Sequence, residues 1–88
     1  MKLKYEFAVR EIVGEYVMVP LGAGALAFSG MISTTETGAT LANALKEQVT
    51  RQELLQLLLD EYEIDEATAS ADLDECLNQL KQLNLLIE

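Results

Sequence analysis

Between Tyr5 and Val19 the chain carries short runs in which apolar residues alternate with polar ones or are β-branched and aromatic. After Thr35 apolar residues recur every third or fourth position instead. Period two is the signature of a half-buried strand, and a period near 3.6 is that of a helix with one buried face. A chain that changes period once, strands first and helices after, folds as α+β with the helices on one side of an antiparallel sheet. Tyr5, Phe7 and Val9 alternate with Glu6, Ala8 and Arg10, and Tyr16 to Val19 is a β-branched and aromatic run that Pro20 ends. The hairpin between them turns at Val13-Gly14-Glu15. Leu21 to Leu26, with Gly22 and Gly24, reads as a surface loop, and Met31-Ile32-Ser33 as a short third strand.

Three helices follow. Thr34 or Thr35 caps the first, whose Gly38, Leu41, Ala42 and Leu45 share a face. Thr50 and Glu53 have the spacing of a capping box, ahead of a stripe of Leu54, Leu55, Leu58 and Tyr62. Asp65 caps the third, along which Ala69, Leu73, Cys76, Leu77, Leu80 and Leu83 form one stripe. Leu57 lies off the second helix's stripe and reads as a lone exposed leucine, with a docking patch as the second reading. Asn84 stops the last helix, and Leu85-Leu86-Ile87 returns to the core. The expected fold is a winged-helix-like α+β domain: a three-stranded antiparallel sheet over residues 5–33, then a three-helix bundle over 35–84, in a single domain 1–88. A sheet of three short strands leaves at least one edge open, and an open edge is either blunted or used.

Composition narrows what such a domain does. There is no histidine, and the chain has one cysteine, so the commonest general base is missing and neither a zinc site nor an iron–sulfur cluster can be built from thiolates. Asp60-Glu61 and Asp74-Glu75 are neighbours on helices and point about 100° apart, which does not converge two carboxylates for acid–base work. Catalysis, a cofactor and a metal are therefore not expected. Cys76 sits in an apolar stripe and reads as a small buried hydrophobe. A lone cysteine, no apolar run of membrane length and no secretory pattern point to a soluble cytoplasmic chain.

The net charge of −9 is unevenly spread. Up to residue 49, Lys2, Lys4, Arg10 and Lys46 nearly balance five glutamates; from residue 50 on, only Arg51 and Lys81 face ten carboxylates. A body this acidic repels phosphate backbones and anionic membranes. A winged-helix DNA-binding regulator remains as an alternative, as does an edge-pairing scaffold or homodimerisation module.

The segments Val9-Arg10-Glu11-Ile12, Tyr16 to Gly22, Phe28-Ser29-Gly30-Met31-Ile32 and Thr35-Glu36-Thr37-Gly38-Ala39 occur in this order, followed by Asp65-Glu66, Asp72-Leu73, Leu77 and Leu85-Leu86. Together, from about Phe7 to Leu86, they resemble the PqqD family, named for the pyrroloquinoline quinone biosynthesis protein D, whose fold is also called the RiPP precursor recognition element. The Gly-rich Leu21–Leu26 segment resembles the wider family rather than its quinone-cofactor branch. The resemblance implies a non-catalytic module that binds the leader of a ribosomally made precursor peptide. It implies presentation of that peptide to a modifying enzyme, often a radical S-adenosylmethionine maturase. It also implies where: the leader adds as a strand along Met31, Ile32, Ser33 and Thr34, in a groove shared with Ala69, Asp72, Leu73, Cys76 and Gln79 of the third helix. Main-chain hydrogen bonds would then supply affinity and side-chain pockets the choice of partner.

Overall fold

The computed structural model describes residues 1–27 and 30–88; Phe28 and Ser29, part of the third-strand motif, lie outside the described residues. The elements run β1 (Lys2–Leu3), β2 (Phe7–Ile12), β3 (Glu15–Pro20), α1 (Ala23–Ala27), β4 (Ile32–Thr34), α2 (Glu36–Ala44), α3 (Arg51–Glu61), α4 (Glu66–Gln82) and β5 (Leu86–Ile87). Strands β2, β3 and β4 form an antiparallel sheet in that order, and α2, α3 and α4 pack together, the α+β arrangement that the change of period implies.

The β2–β3 hairpin turns on two residues, both with positive φ, Val13 at 51° and Gly14 at 80°. This is the backbone of a type I′ turn, whose twist matches that of the strands it joins. Its closing pair is Ile12 and Glu15. Such a pair exchanges both hydrogen bonds, and bonded and non-bonded pairs alternate from there. Leu21 N–H donates to the Glu6 carbonyl at 2.9 Å, in phase with that alternation. Pro20, opposite Phe7, therefore falls at a non-bonded pair, where β2 asks no N–H of it.

The same parity fixes the edge strand. Tyr16 and Met18 turn their peptide groups toward β4, where they face Thr34 and Ile32. Ser33, opposite Val17, is the non-bonded partner, so its N–H and C=O point away from the sheet. Among the described residues nothing pairs with that side of β4.

Each long helix begins with a cap. Thr35 accepts from Gly38 N–H at 3.0 Å. Thr50 accepts from Glu53 N–H while the Glu53 carboxylate accepts from Thr50 N–H, a complete capping box. Asp65 accepts from Thr68 N–H at 2.8 Å, and that bond holds its carboxyl below the ordinary aspartate value. Their buried faces enclose one core with Phe7, Met18 and Ile32 of the sheet: Leu41, Ala42 and Leu45; Leu54, Leu55 and Leu58; Ala69, Leu73, Leu77 and Leu80.

Four expectations need correction. Residues 23–27 are not loop but the helical turn α1, and its Gly24 is buried so close to Tyr5 that a Cβ would stand 2.8 Å from the Tyr5 Cβ. The close approach, rather than flexibility, is what requires glycine there. Met31 precedes β4, which instead extends to Thr34. Leu83, the C-cap of α4 and still helical in backbone, is 38% exposed because at about 100° per residue it falls off the stripe of Ala69, Leu73, Leu77 and Leu80, and Asn84 adopts φ 58° to turn Leu85 into the core. Leu57 is half-buried rather than exposed. The C-terminal return also does more than pack: Leu86–Ile87 pairs with Lys2–Leu3 as a second, two-stranded sheet. Among the described residues no helix is long and apolar enough to cross a membrane.

Candidate peptide-binding groove

The open edge of β4 runs beside α4, and between them lies a cavity of about 460 Å³. Ser33 and Thr34 of β4 form one wall together with Thr35, Thr37 and Gly38 at the start of α2. Asp72, Glu75, Cys76 and Gln79 of α4 form the other. Those four recur at helical spacing and so make a single stripe along α4, displaced from the core stripe of Ala69, Leu73, Leu77 and Leu80. The cavity continues in both directions. A smaller one of about 300 Å³ shares Ser33, Thr34 and Thr35 and reaches Glu15, Tyr16 and Glu36. Another shares Glu75 and Gln79 and follows α4 to Gln82.

Of the residues expected from sequence, the structure brings Ser33, Thr34, Asp72, Cys76 and Gln79 together around this cavity. Ile32, Ala69 and Leu73 do not line it; at 6%, 0% and 0% exposure they are core beneath it. Met31, 62% exposed at the head of the strand, does not line it either. Sequence reasoning missed Thr35, Thr37, Gly38 and Glu75. Glu75 was recoverable, being three residues after Asp72 and four before Gln79. The first turn of α2 was not, because its position against β4 is set by tertiary packing.

The groove is electrostatically one-signed. No lysine or arginine lines either the cavity at α4 or its extension toward Glu15. Burial, and then the charge of Glu75, push the Cys76 thiol up to about 11, so it is neutral at physiological pH. Burial, with Glu11 and Glu36 nearby, likewise raises the Tyr16 phenol, which donates to Glu36 Oε1 at 3.5 Å. Asp74, on the far side of the same helical turn, pairs with Arg51 at 2.8 Å. Among the described residues no cluster of three metal-ligating side chains forms. What the groove offers is hydrogen-bonding groups, two carboxylates, a neutral thiol and an unpaired strand edge. This is equipment for holding an extended chain.

A family model described as coenzyme PQQ synthesis protein D (PqqD) matches residues 15–86. The chain belongs to the PqqD family. The matched part opens with β3 and closes in β5, so both walls of the groove fall inside the PqqD-family region, whereas β1 and β2 precede it. Two solved structures share the PqqD-like fold. TbiB1, solved in complex with the TbiA(β) leader peptide, superposes with a TM-score of 0.69 at 24% identity over 98% of this chain and 94% of its own. A lasso peptide synthetase B1, complexed with the leader peptide, gives 0.67 at 20% identity over 99% and 96%. No curated protein matches the sequence.

Proposed function

We propose that this chain is a non-catalytic recognition module, one domain over residues 1–88, that captures the leader of a ribosomally made precursor peptide and presents it to a modifying enzyme. The observation that carries the reading is the outward N–H and C=O of Ser33 on an unpaired edge, beside the 460 Å³ cavity against α4. A leader added there extends the sheet by one strand and lays alternate side chains toward Asp72, Glu75, Cys76 and Gln79. Membership of the PqqD family supports the reading, as do two similar folds that each hold a leader peptide. The family resemblance favours a radical S-adenosylmethionine maturase as the enzyme served, acting in the cytoplasm. Pairing of two copies through the same edge is the competing use of β4. DNA binding is disfavoured: α4 carries Lys81 as its one basic residue, and Lys81 pairs with Glu88 at 3.1 Å.

The test is a titration of the isotopically labelled chain with synthetic leader peptides from precursors encoded beside it, following backbone amide shifts. Perturbations confined to residues 31–38 and the 72–79 face of α4 are expected. Shifts centred on α1, or none with any such peptide, would overturn the reading.

A further inference from the structure

The cations of this chain are placed so that none serves the groove. Arg51 is held by Asp74 and Ser70, and Lys81 by Glu88. Lys2, Lys4 and Lys46 gather around a separate cavity beside β1. Arg10 lies on β2, two strands from the open edge. Against that stand Asp72 and Glu75 on one wall of the groove, with Glu15 and Glu36 where it continues past β4. In the open groove Glu15, Glu36 and Glu75 are exposed to water and Asp72 partly so. A strand laid along β4 changes that, because it displaces water from Asp72, already half-buried, and from Glu75 beside it. A desolvated carboxylate is costly unless a cation or hydrogen-bond donor arrives with the covering group. An acidic side chain arriving instead adds repulsion, which turns the groove against the wrong peptide as well as toward the right one.

We propose that the leader recognised by this chain carries a lysine or arginine at the register position facing Asp72 and Glu75, and that these two residues set its selectivity. The inference rests on the leader-binding reading above: edge and cavity make the site, and the two acids decide which strand it accepts. Cys76 completes the fit, since its neutral thiol between the acids and Gln79 gives the aliphatic stem of a long basic side chain an apolar surface to lie on. The upward push that Glu75 exerts on that thiol is a sign of the negative field at the same place.

The experiment is a selection from a random dodecapeptide display library against the intact chain, with sequencing of the bound pool and affinity measurement on resynthesised binders. Binders that use the edge are identified by their loss on Ser33→Pro. Among them, lysine or arginine should be enriched at one position, and replacing it with glutamate should weaken binding by about tenfold or more, as expected for a charge-assisted pair. Asp72→Lys/Glu75→Lys should invert the preference toward acidic peptides. If that double variant does not fold, Asp72→Asn/Glu75→Gln should abolish the enrichment without reversing it. Edge binders with no charge preference, or an acidic one, would overturn the selectivity proposal and leave leader binding standing. A library that yields no binder sensitive to Ser33→Pro would overturn both.

Discussion

A Cβ added to Gly38 would fall on the Thr34 hydroxyl, with Thr35 Oγ1 only 3.2 Å away. The first turn of α2 is therefore seated directly against the last residue of the edge strand, and one wall of the groove is built from that contact. Thr34 cannot swing its hydroxyl aside freely, because its Cβ also stands 3.3 Å from the same point.

Gly38→Ala should accordingly destabilise the chain, by about 1–3 kcal/mol from overpacking, partly offset by the better helix propensity of alanine. It should also weaken peptide binding, because relief of the clash moves β4. Thr34→Ala removes the opposing hydroxyl but keeps the Cβ, so the double variant should recover part of both losses. Melting temperatures and peptide affinities of the four proteins in the cycle check this, and additive effects would show that the two residues are not coupled.

Ser33→Pro and Thr34→Pro should part company. The first deletes an outward N–H on a free edge and should leave unfolding within about 0.5 kcal/mol of the parent while peptide binding is lost. The second deletes the N–H facing Tyr16 and should cost about 1–3 kcal/mol. Denaturant unfolding beside a binding assay separates them. Equal destabilisation would mean that the register parity of β4 is wrong.

Cys76 should alkylate slowly. With its folded value raised from 9.0 to about 11, its thiolate fraction near neutrality is about a hundredfold below that of an unperturbed thiol. The same shift has a signed effect on stability. Below pH 9 the thiol is protonated in both folded and unfolded chains and contributes no slope. Between pH 9 and 11 the unfolded chain releases its proton first, so stability falls as pH rises. Unfolding in denaturant at pH 8 and at pH 10.5 should show this loss, and Cys76→Ala should remove the cysteine's share of it.

Leu73→Ala should act on folding rather than on recognition. Leu73 is fully buried, so truncation should cost about 2–5 kcal/mol, much of the stability expected of a domain this small. Binding by whatever remains folded should be close to that of the parent. A large loss of affinity at unchanged stability would return Leu73 to the groove.

The hairpin, the three caps and the composition of the core were legible in the residues because each is a local pattern: a glycine at a turn, a threonine or aspartate three residues before a free N–H, leucines at helical spacing. Three features were not. The β1–β5 ladder is two residues long and has no period to read. Gly24 resembles a loop glycine until Tyr5 is seen against it. On α4 the sequence merged two stripes into one, placing Ala69 and Leu73 with Asp72, Cys76 and Gln79. Residues one position apart differ by about 100° around the axis, and only the packing of α2 and β4 shows where core ends and groove begins.

The edge strand is three residues long, and its middle residue alone turns both main-chain groups outward. Two hydrogen bonds at about 0.5–1.5 kcal/mol each do not offset the entropy lost when a free peptide is immobilised. Nor do they define an alignment, since any residue of the incoming strand except proline satisfies them equally. Recognition on so short a rail has to be settled by side chains. A guest that slips by one residue turns its groove-facing side chains to the other face of the strand, and a slip of two puts different ones opposite Asp72 and Glu75. If Asp72 and Glu75 hold the leader as proposed, the position of the maturation site along the precursor is measured from that contact, not from the strand that holds it.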